Sequence, residues 1–143
     1  MRNAPINIKI AGDLVINKKF EQGLIDSNLI EYFRNSDFNI VNLESPITTS
    51  TSKILKTGPH LKGDTTSTQE VLHALKIDLV TLANNHILDY DEQGVNDTIE
   101  FCKRHNIAFV GAGSNLANAS KTFYLEEKNK IVGIVNFSEN EWA

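Results

Sequence analysis

The chain has 143 residues, 41% hydrophobic and 22% charged, with a formal net charge of -4. These values suit a soluble globular domain, or a fragment of a larger one, and exclude an intrinsically disordered chain. They also argue against nucleic acid as a partner, because a general binder needs a basic face to neutralise phosphates and Lys53, Lys56 and Lys62 offer only a local basic patch.

Met1 to Ile10 carries alternating apolar residues with no apolar core behind them, the pattern of a strand rather than a signal peptide. Ile6, Ile8 and Ile10 lead into Ala11-Gly12-Asp13, so the first strand is expected to end at Gly12. Residues 17–35 read as mostly helical, split near Gly23 and Asp26-Ser27-Asn28, with Ser27 or Asn28 capping the second piece. Phe38 to Leu43 is a second strand, ending at Glu44-Ser45-Pro46. Residues 47–66 are rich in Thr, Ser and Lys and form a long loop of about 20 residues, a length that in compact domains is usually functional or mobile. Ser67 with Glu70 three positions on predicts a capping box that opens a helix with Val71, Leu72 and Leu75 on its buried face.

Asp78 to Leu82 is a third strand, apolar enough to be covered on both faces, and it ends at Ala83-Asn84-Asn85-His86. Asp91 to His105 is the longest helix, with Cys102 beside Phe101 as a buried, inert thiol. That lone cysteine excludes an intrachain disulfide and, within one chain, a thiolate zinc site. Ile107 to Val110 is a fourth strand ending at Gly111-Ala112-Gly113, and Ile131 to Phe137 a fifth ending at Ser138-Glu139-Asn140-Glu141, with a weaker strand over Thr122 to Leu125. No stretch approaches the roughly 20 apolar residues of a membrane helix, so by sequence the chain is cytoplasmic. Alternating strands and helices predict a single α/β domain over residues 1–143, with a largely parallel sheet flanked by helices.

Polar groups recur just past the apolar part of each strand. In a parallel sheet those carboxyl ends share one edge, where ligands bind. Asp13, Glu44, Asn85 and His86 thus form a mixed oxygen and imidazole set suited to divalent metal, with Mn, Fe, Zn and Mg all fitting such donors. A metal pair there would clamp a phosphoryl oxygen and activate water; alternatively, His86 would act as general acid. All but Glu44, which before Ser45-Pro46 is hard to explain as turn chemistry, have a plainer reading. Asp13 shapes a turn or caps a helix, Asn84-Asn85 makes a left-handed turn, His86 is a satisfied buried histidine, and Asp89 caps the helix at Asp91. Gly111-Ala112-Gly113 lacks the third glycine of a nucleotide loop. His73 and His105 belong at the helix surface or boundary. His60 and Lys62, with Asn84 and Glu139, are candidates for contacting an anionic substrate.

Gly12-Asp13, Asn42-Leu43-Glu44-Ser45-Pro46 and Ala83-Asn84-Asn85-His86-Ile87-Leu88-Asp89-Tyr90 together resemble the CapA family of poly-γ-glutamate capsule biosynthesis proteins, themselves similar to calcineurin-like metallophosphoesterases. Gly94, Thr98 and Asn106 to Gly113 continue the resemblance, which spans residues 7 to about 137. It implies an α/β/β/α sandwich, with Asp13, Glu44 and Asn85 as metal ligands and His86 as the catalytic acid. It also implies polyglutamate or another anionic molecule as substrate, other capsule biosynthesis proteins as partners, and an association with the cell envelope. Two departures stand out: Val15 occupies the place of a metal-binding histidine, and Glu44 that of a bridging aspartate. The later histidine motifs of the family would follow residue 143, so the chain reads as the N-terminal portion of a longer protein holding half of the site. The alternative function is a non-catalytic, polyanion-binding subunit of a capsule synthesis or export complex.

Overall fold

A computed structural model describes residues 4–20 and 23–139. Ten elements follow one another: β1 (Ile8–Leu14), α1 (Ser27–Arg34), β2 (Phe38–Leu43), α2 (Thr65–Ala74), β3 (Leu79–Thr81), α3 (Asp91–Arg104), β4 (Ala108–Val110), α4 (Leu116–Ala119), β5 (Phe123–Glu127) and β6 (Lys130–Ile134). The first four strands form a parallel sheet in the order β1-β2-β3-β4.

Alternation along the strands sorts two cores. Val41, Leu43, Val80 and Leu82 face Phe33 of α1, Val71 and Leu72 of α2, and Ile99, Phe101 and Cys102 of α3. Phe38, Ile40, Leu79 and Val110 face the other way, onto Phe123, Leu125, Val132 and Ile134 of the β5–β6 hairpin. The sheet therefore has its three long helices on one face and a second small sheet on the other. β3 is covered on both sides, as its apolar run predicts.

Several boundaries differ from expectation, each for a local reason. β1 continues past Gly12 to Leu14, because its register against β2 shifts by one residue between Ile10 and Asp13. Only Ser27–Arg34 of the 17–35 stretch is an α-helix among the described residues, and Asp26, not Ser27 or Asn28, caps it by accepting from the Asn28 and Leu29 N–H groups. The cap of α2 is Asp64, which accepts from Ser67 N, so α2 begins before the Ser67–Glu70 pair. The expected fifth strand is not part of the parallel sheet. It pairs antiparallel with Phe123–Glu127 through a turn at Lys128 and Asn129, both at positive φ. Residues 1–3, Asn140 and Glu141 lie outside the described residues.

Two polar features, one buried and one half-buried, hold the layers in register. Asn39, wholly buried on β2, donates its amide to the carbonyls of Phe33 and Lys76 (3.0 and 2.9 Å) and more weakly to that of Leu75 (3.4 Å), while Ser36 Oγ donates to its Oδ1. Carbonyls at the C-terminal ends of α1 and α2, which lack intrahelical partners, are thus satisfied by one side chain. Asn136, after β6, accepts from Ala83 N (2.6 Å) and donates to Ala83 O (3.3 Å), extending the end of β3. Gly111 (φ +90°) makes this possible, since a Cβ there would overlap Asn136 Oδ1 and come within 2.7 Å of Ala83 N. Cys102 is buried, and burial pushes its thiol up to about 12.

Replacing Asn39 by Ala removes the donor to Lys76 O and Leu75 O while Ser36 Oγ still reaches Phe33 O, and an expected loss of about 1–3 kcal/mol would appear as a lower urea midpoint with an unchanged slope. His105 sits beside Phe101 and His73, and burial, then the neighbouring His73 and Arg104 charges, lower its pKa. A depressed folded pKa means that the unfolded chain takes the proton first. Stability present above the ordinary value of 6.5 is therefore lost as pH falls through the folded one. Urea midpoints measured between about pH 7.5 and 5 should decline, and His105→Gln should flatten that decline.

Candidate functional site

Successive strand ends are tied together by a chain of amides. The register shift in β1 sets Asp13 opposite Asn42, and Asn42 Nδ2 donates to Asp13 Oδ1 at 2.6 Å. Asn42 Oδ1 in turn accepts from Thr81 Oγ1 and Asn84 Nδ2, both at 3.2 Å. Asn84 also donates to Leu43 O (3.1 Å), and its Oδ1 accepts from His86 N (3.0 Å). The side chain of Asn84 is thus a structural brace that folds the turn after β3 back on β2. Asn85 is exposed on that turn, and Asp13 is exposed on β1.

His86 emerges from this turn 91% buried. Its Nδ1 lies 2.8 Å from Asp89 Oδ2, and its Nε2 lies 3.9 Å from Glu44 Oε1. An ionised carboxylate only accepts, so Nδ1 carries the proton in that bond and Nε2 is left for other work. Asp89 is fully buried. Burial alone would raise its pKa, but hydrogen bonds from Lys56, His86 and the Leu61 N–H outweigh it and hold the carboxyl below its ordinary 3.8. Lys56 Nζ bonds Asp89 Oδ1, and Leu61 N donates to Oδ2 at 2.6 Å. Asp89 therefore does not cap α3; the cap position is Tyr90, without a side-chain bond.

The 44–64 stretch is drawn over this dyad. Beyond Lys56 and Leu61, Ile54 N reaches Asp89 O (3.3 Å) and Gly63 N reaches Pro46 O (2.8 Å). His60 Nε2 is 2.8 Å from Ile54 O, and Lys62 Nζ bonds Ser50 O while lying 4.2 Å from the centre of the Tyr90 ring. His60 and Lys62 thus pin the loop to itself and to the start of α3. Glu139 is exposed, one residue past Ser138. Ser138 joins Ile87, Leu88, Val95, Gly113 and Leu116 around a cavity of about 510 Å³ beside the β3 turn.

Of the sequence candidates, His86 and Glu44 come together, Asp13 and Asn84 are linked through Asn42, and Asn85 stands apart on the surface of the turn. The donors have the right chemistry for divalent metal, yet among the described residues no three His, Cys, Asp or Glu side chains converge as a metal site. These residues do not by themselves fit such an ion. Sequence reasoning gave no role to Asp89 beyond a cap, none to Asn42, and to Lys56 only a place in a local basic patch. The signal for Asp89 was the His-x-x-Asp spacing, which sets both side chains within one tight turn. Lys56 had none, because nothing in a Ser/Thr-rich loop distinguishes a lysine that will be buried.

The bacterial capsule synthesis protein PGA_cap family matches residues 7–143. The chain belongs to that family. Among its relatives is the PGA biosynthesis protein CapA of Bacillus subtilis (strain 168), 30% identical over 135 residues, covering 88% of this chain and 35% of that protein. The capsule biosynthesis protein CapA of Bacillus anthracis is 24% identical over 150 residues, covering 96% of this chain and 36% of its own length. A probable polyglutamine synthesis accessory protein of Mycobacterium tuberculosis is 40% identical over 67 residues, 45% of this chain and 18% of its own. The chain thus spans about a third of the length of the two CapA relatives. No helix among the described residues is long and apolar enough to cross a membrane.

Asp89→Asn keeps the shape but removes the anion that balances Lys56 and orders His86. Breaking a buried pair from one side typically costs about 3–5 kcal/mol. The expected result is a lower thermal midpoint for Asp89→Asn than for the exposed control Glu100→Gln, which should melt close to wild type.

Proposed function

We propose that this chain carries the acid–base part of a hydrolase or transferase site in a CapA-type protein of poly-γ-glutamate capsule biosynthesis. The proposed substrate is an amide-linked polyanion of that kind or a phosphate ester. The observation that supports this most is the buried His86–Asp89 dyad, with Nε2 turned toward Glu44 at the shared edge of the strands. The names of the relatives, which speak of PGA and capsule biosynthesis, supply the polymer.

In this reading Asp89 fixes the imidazole ring and its tautomer, and His86 Nε2 exchanges a proton with the leaving nitrogen or oxygen of the substrate. Glu44 holds the far side of that proton path. Asp13, Asn42 and Asn84 keep the strand ends rigid, so that the proton is delivered at a defined position. The proton step needs no group beyond the dyad and the substrate.

A second reading, a subunit that only holds the polymer, gains support from Val15, which stands where the metallophosphoesterase pattern has a histidine. It loses support from two of the three loop lysines, Lys53 alone being exposed. Lys56 is consumed by Asp89 and Lys62 by Ser50 O and Tyr90, so neither ammonium is free to bind an anionic chain. The test is turnover by the family protein containing this chain, measured as new amino ends from poly-γ-glutamate and as phosphate from a panel of monoesters and diesters. His86→Gln should lower kcat by about 10²–10⁴-fold with polymer binding retained, the range expected for losing a general acid–base group. Wild-type turnover in the Gln variant would rule out His86 as the acid–base group, and polymer binding without any turnover by the unaltered protein would leave the polymer-holding reading.

A further inference from the structure

Resting on the acid–base reading of His86, we propose that Lys56 is a positioning residue: carried in by the 44–64 loop, its ammonium completes the Asp89 carboxylate and couples closure of that loop to the alignment of His86.

The case begins with burial. The Lys56 side chain is 4% exposed and that of Asp89 is 0%. A lysine on a polar loop has every reason to remain in water, because desolvating an ammonium costs several kcal/mol unless an anion and good geometry compensate. Lys56 is flanked by exposed Leu55 and Thr57, so the chain turns the charged residue inward and leaves a leucine outside. That inversion of ordinary patterning marks a specific requirement at the inner position.

Asp89 is the requirement. Its two oxygens take three donors from two separate segments: His86 from the β3 turn, and Lys56 and Leu61 from the loop. Ile54 N adds a bond to the Asp89 carbonyl. Three of the loop's anchoring bonds thus end on the one residue that also orients the imidazole. Lys56 Nζ stands 3.3 Å from His86 Nδ1, against 2.8 Å for Asp89 Oδ2. An ammonium has no lone pair to offer, so the Nδ1 proton has only the carboxylate as acceptor. With Lys56 on Oδ1, the other oxygen remains aimed at Nδ1. Without Lys56 the carboxylate keeps only the Leu61 N–H and His86, has an unmatched charge in a dry site, and its hold on His86 loosens. Loop closure and imidazole orientation are then two descriptions of one equilibrium, linked reciprocally.

The experiment uses readouts that need no turnover. Nitrogen-15 spectra of the histidine rings, taken on the family protein containing this chain, report the His86 tautomer, and amide hydrogen exchange reports Ile54 and Leu61. In Lys56→Met, exchange at both amides should quicken on the order of tenfold. The Nδ1–H signature of His86 should give way to a mixture of tautomers, while the core amides of β2 stay protected. Lys56→Arg should restore both signals, since a guanidinium supplies the charge and the donors. Wild-type exchange and a wild-type tautomer in Lys56→Met would overturn the proposal. If Lys56→Met does not fold, Lys56→Gln, which keeps a donor without the charge, is read the same way. Failure of both to fold would reduce Lys56 to a structural pin and also overturn it. Should His86→Gln leave turnover intact while Lys56→Met still loosens the loop and scrambles the tautomer, the acid–base reading fails and the coupling stands.

Discussion

A carboxylate removed from water has to be matched by donors, and in this chain Asp89 is where that demand is greatest. Its compensation draws on a histidine three residues earlier, a lysine 33 residues earlier and a backbone N–H 28 residues earlier. The long loop, the turn after β3 and the start of α3 are thereby fixed relative to one another. Each bond alone contributes modestly, but the unmatched alternative is costly, so the set forms together or is lost together.

The sheet's own topology makes this anchoring necessary. In doubly wound sheets the reversal of strand order splays two loops apart and opens a crevice. Here the order runs β1-β2-β3-β4 without reversal, and all three long helices pack on one face. No cleft follows from the strand order itself. Residues 44–64 are folded over the strand ends and held there by Asp89, while the cavity beside the β3 turn is lined from Ala83 onward. The one-residue irregularity in β1 plays a matching role on the other side, since it turns Asp13 to the face of Asn42 rather than opposite Leu43.

Much of the fold was legible because it rests on period-two alternation and apolar runs. The bounds of β2 were read to the residue, and β3, α3 and β4 to within one or two. What escaped were features decided by pairing or by local capping chemistry. Ile131 to Ile134 has the same composition whether it joins the parallel sheet or folds back on Phe123–Glu127. The turn at Lys128-Asn129, neither of them glycine, gave little warning of the hairpin. Asp64 lies upstream of a well-formed Ser–Glu pair that suggested a later start for α2. At the site, His86 and Glu44 were visible from their place at strand ends. Asp89 looked like a helix cap because an acidic residue before a helix usually is one. Lys56 was invisible because its burial depends on a carboxylate 33 positions away.

The one thiol in the sequence has a practical side. Cys102 is shut inside the helix-facing core with its thiolate form strongly disfavoured, so maleimides and other thiol-directed reagents meet no reactive partner in the native protein. Leu55 projects fully into solvent on the 44–64 loop, one residue from Lys56. A cysteine placed there would be the single labelling point in this stretch of the protein. A fluorophore or spin label attached to it would sit directly over the buried charge network, with no need to engineer away a native cysteine.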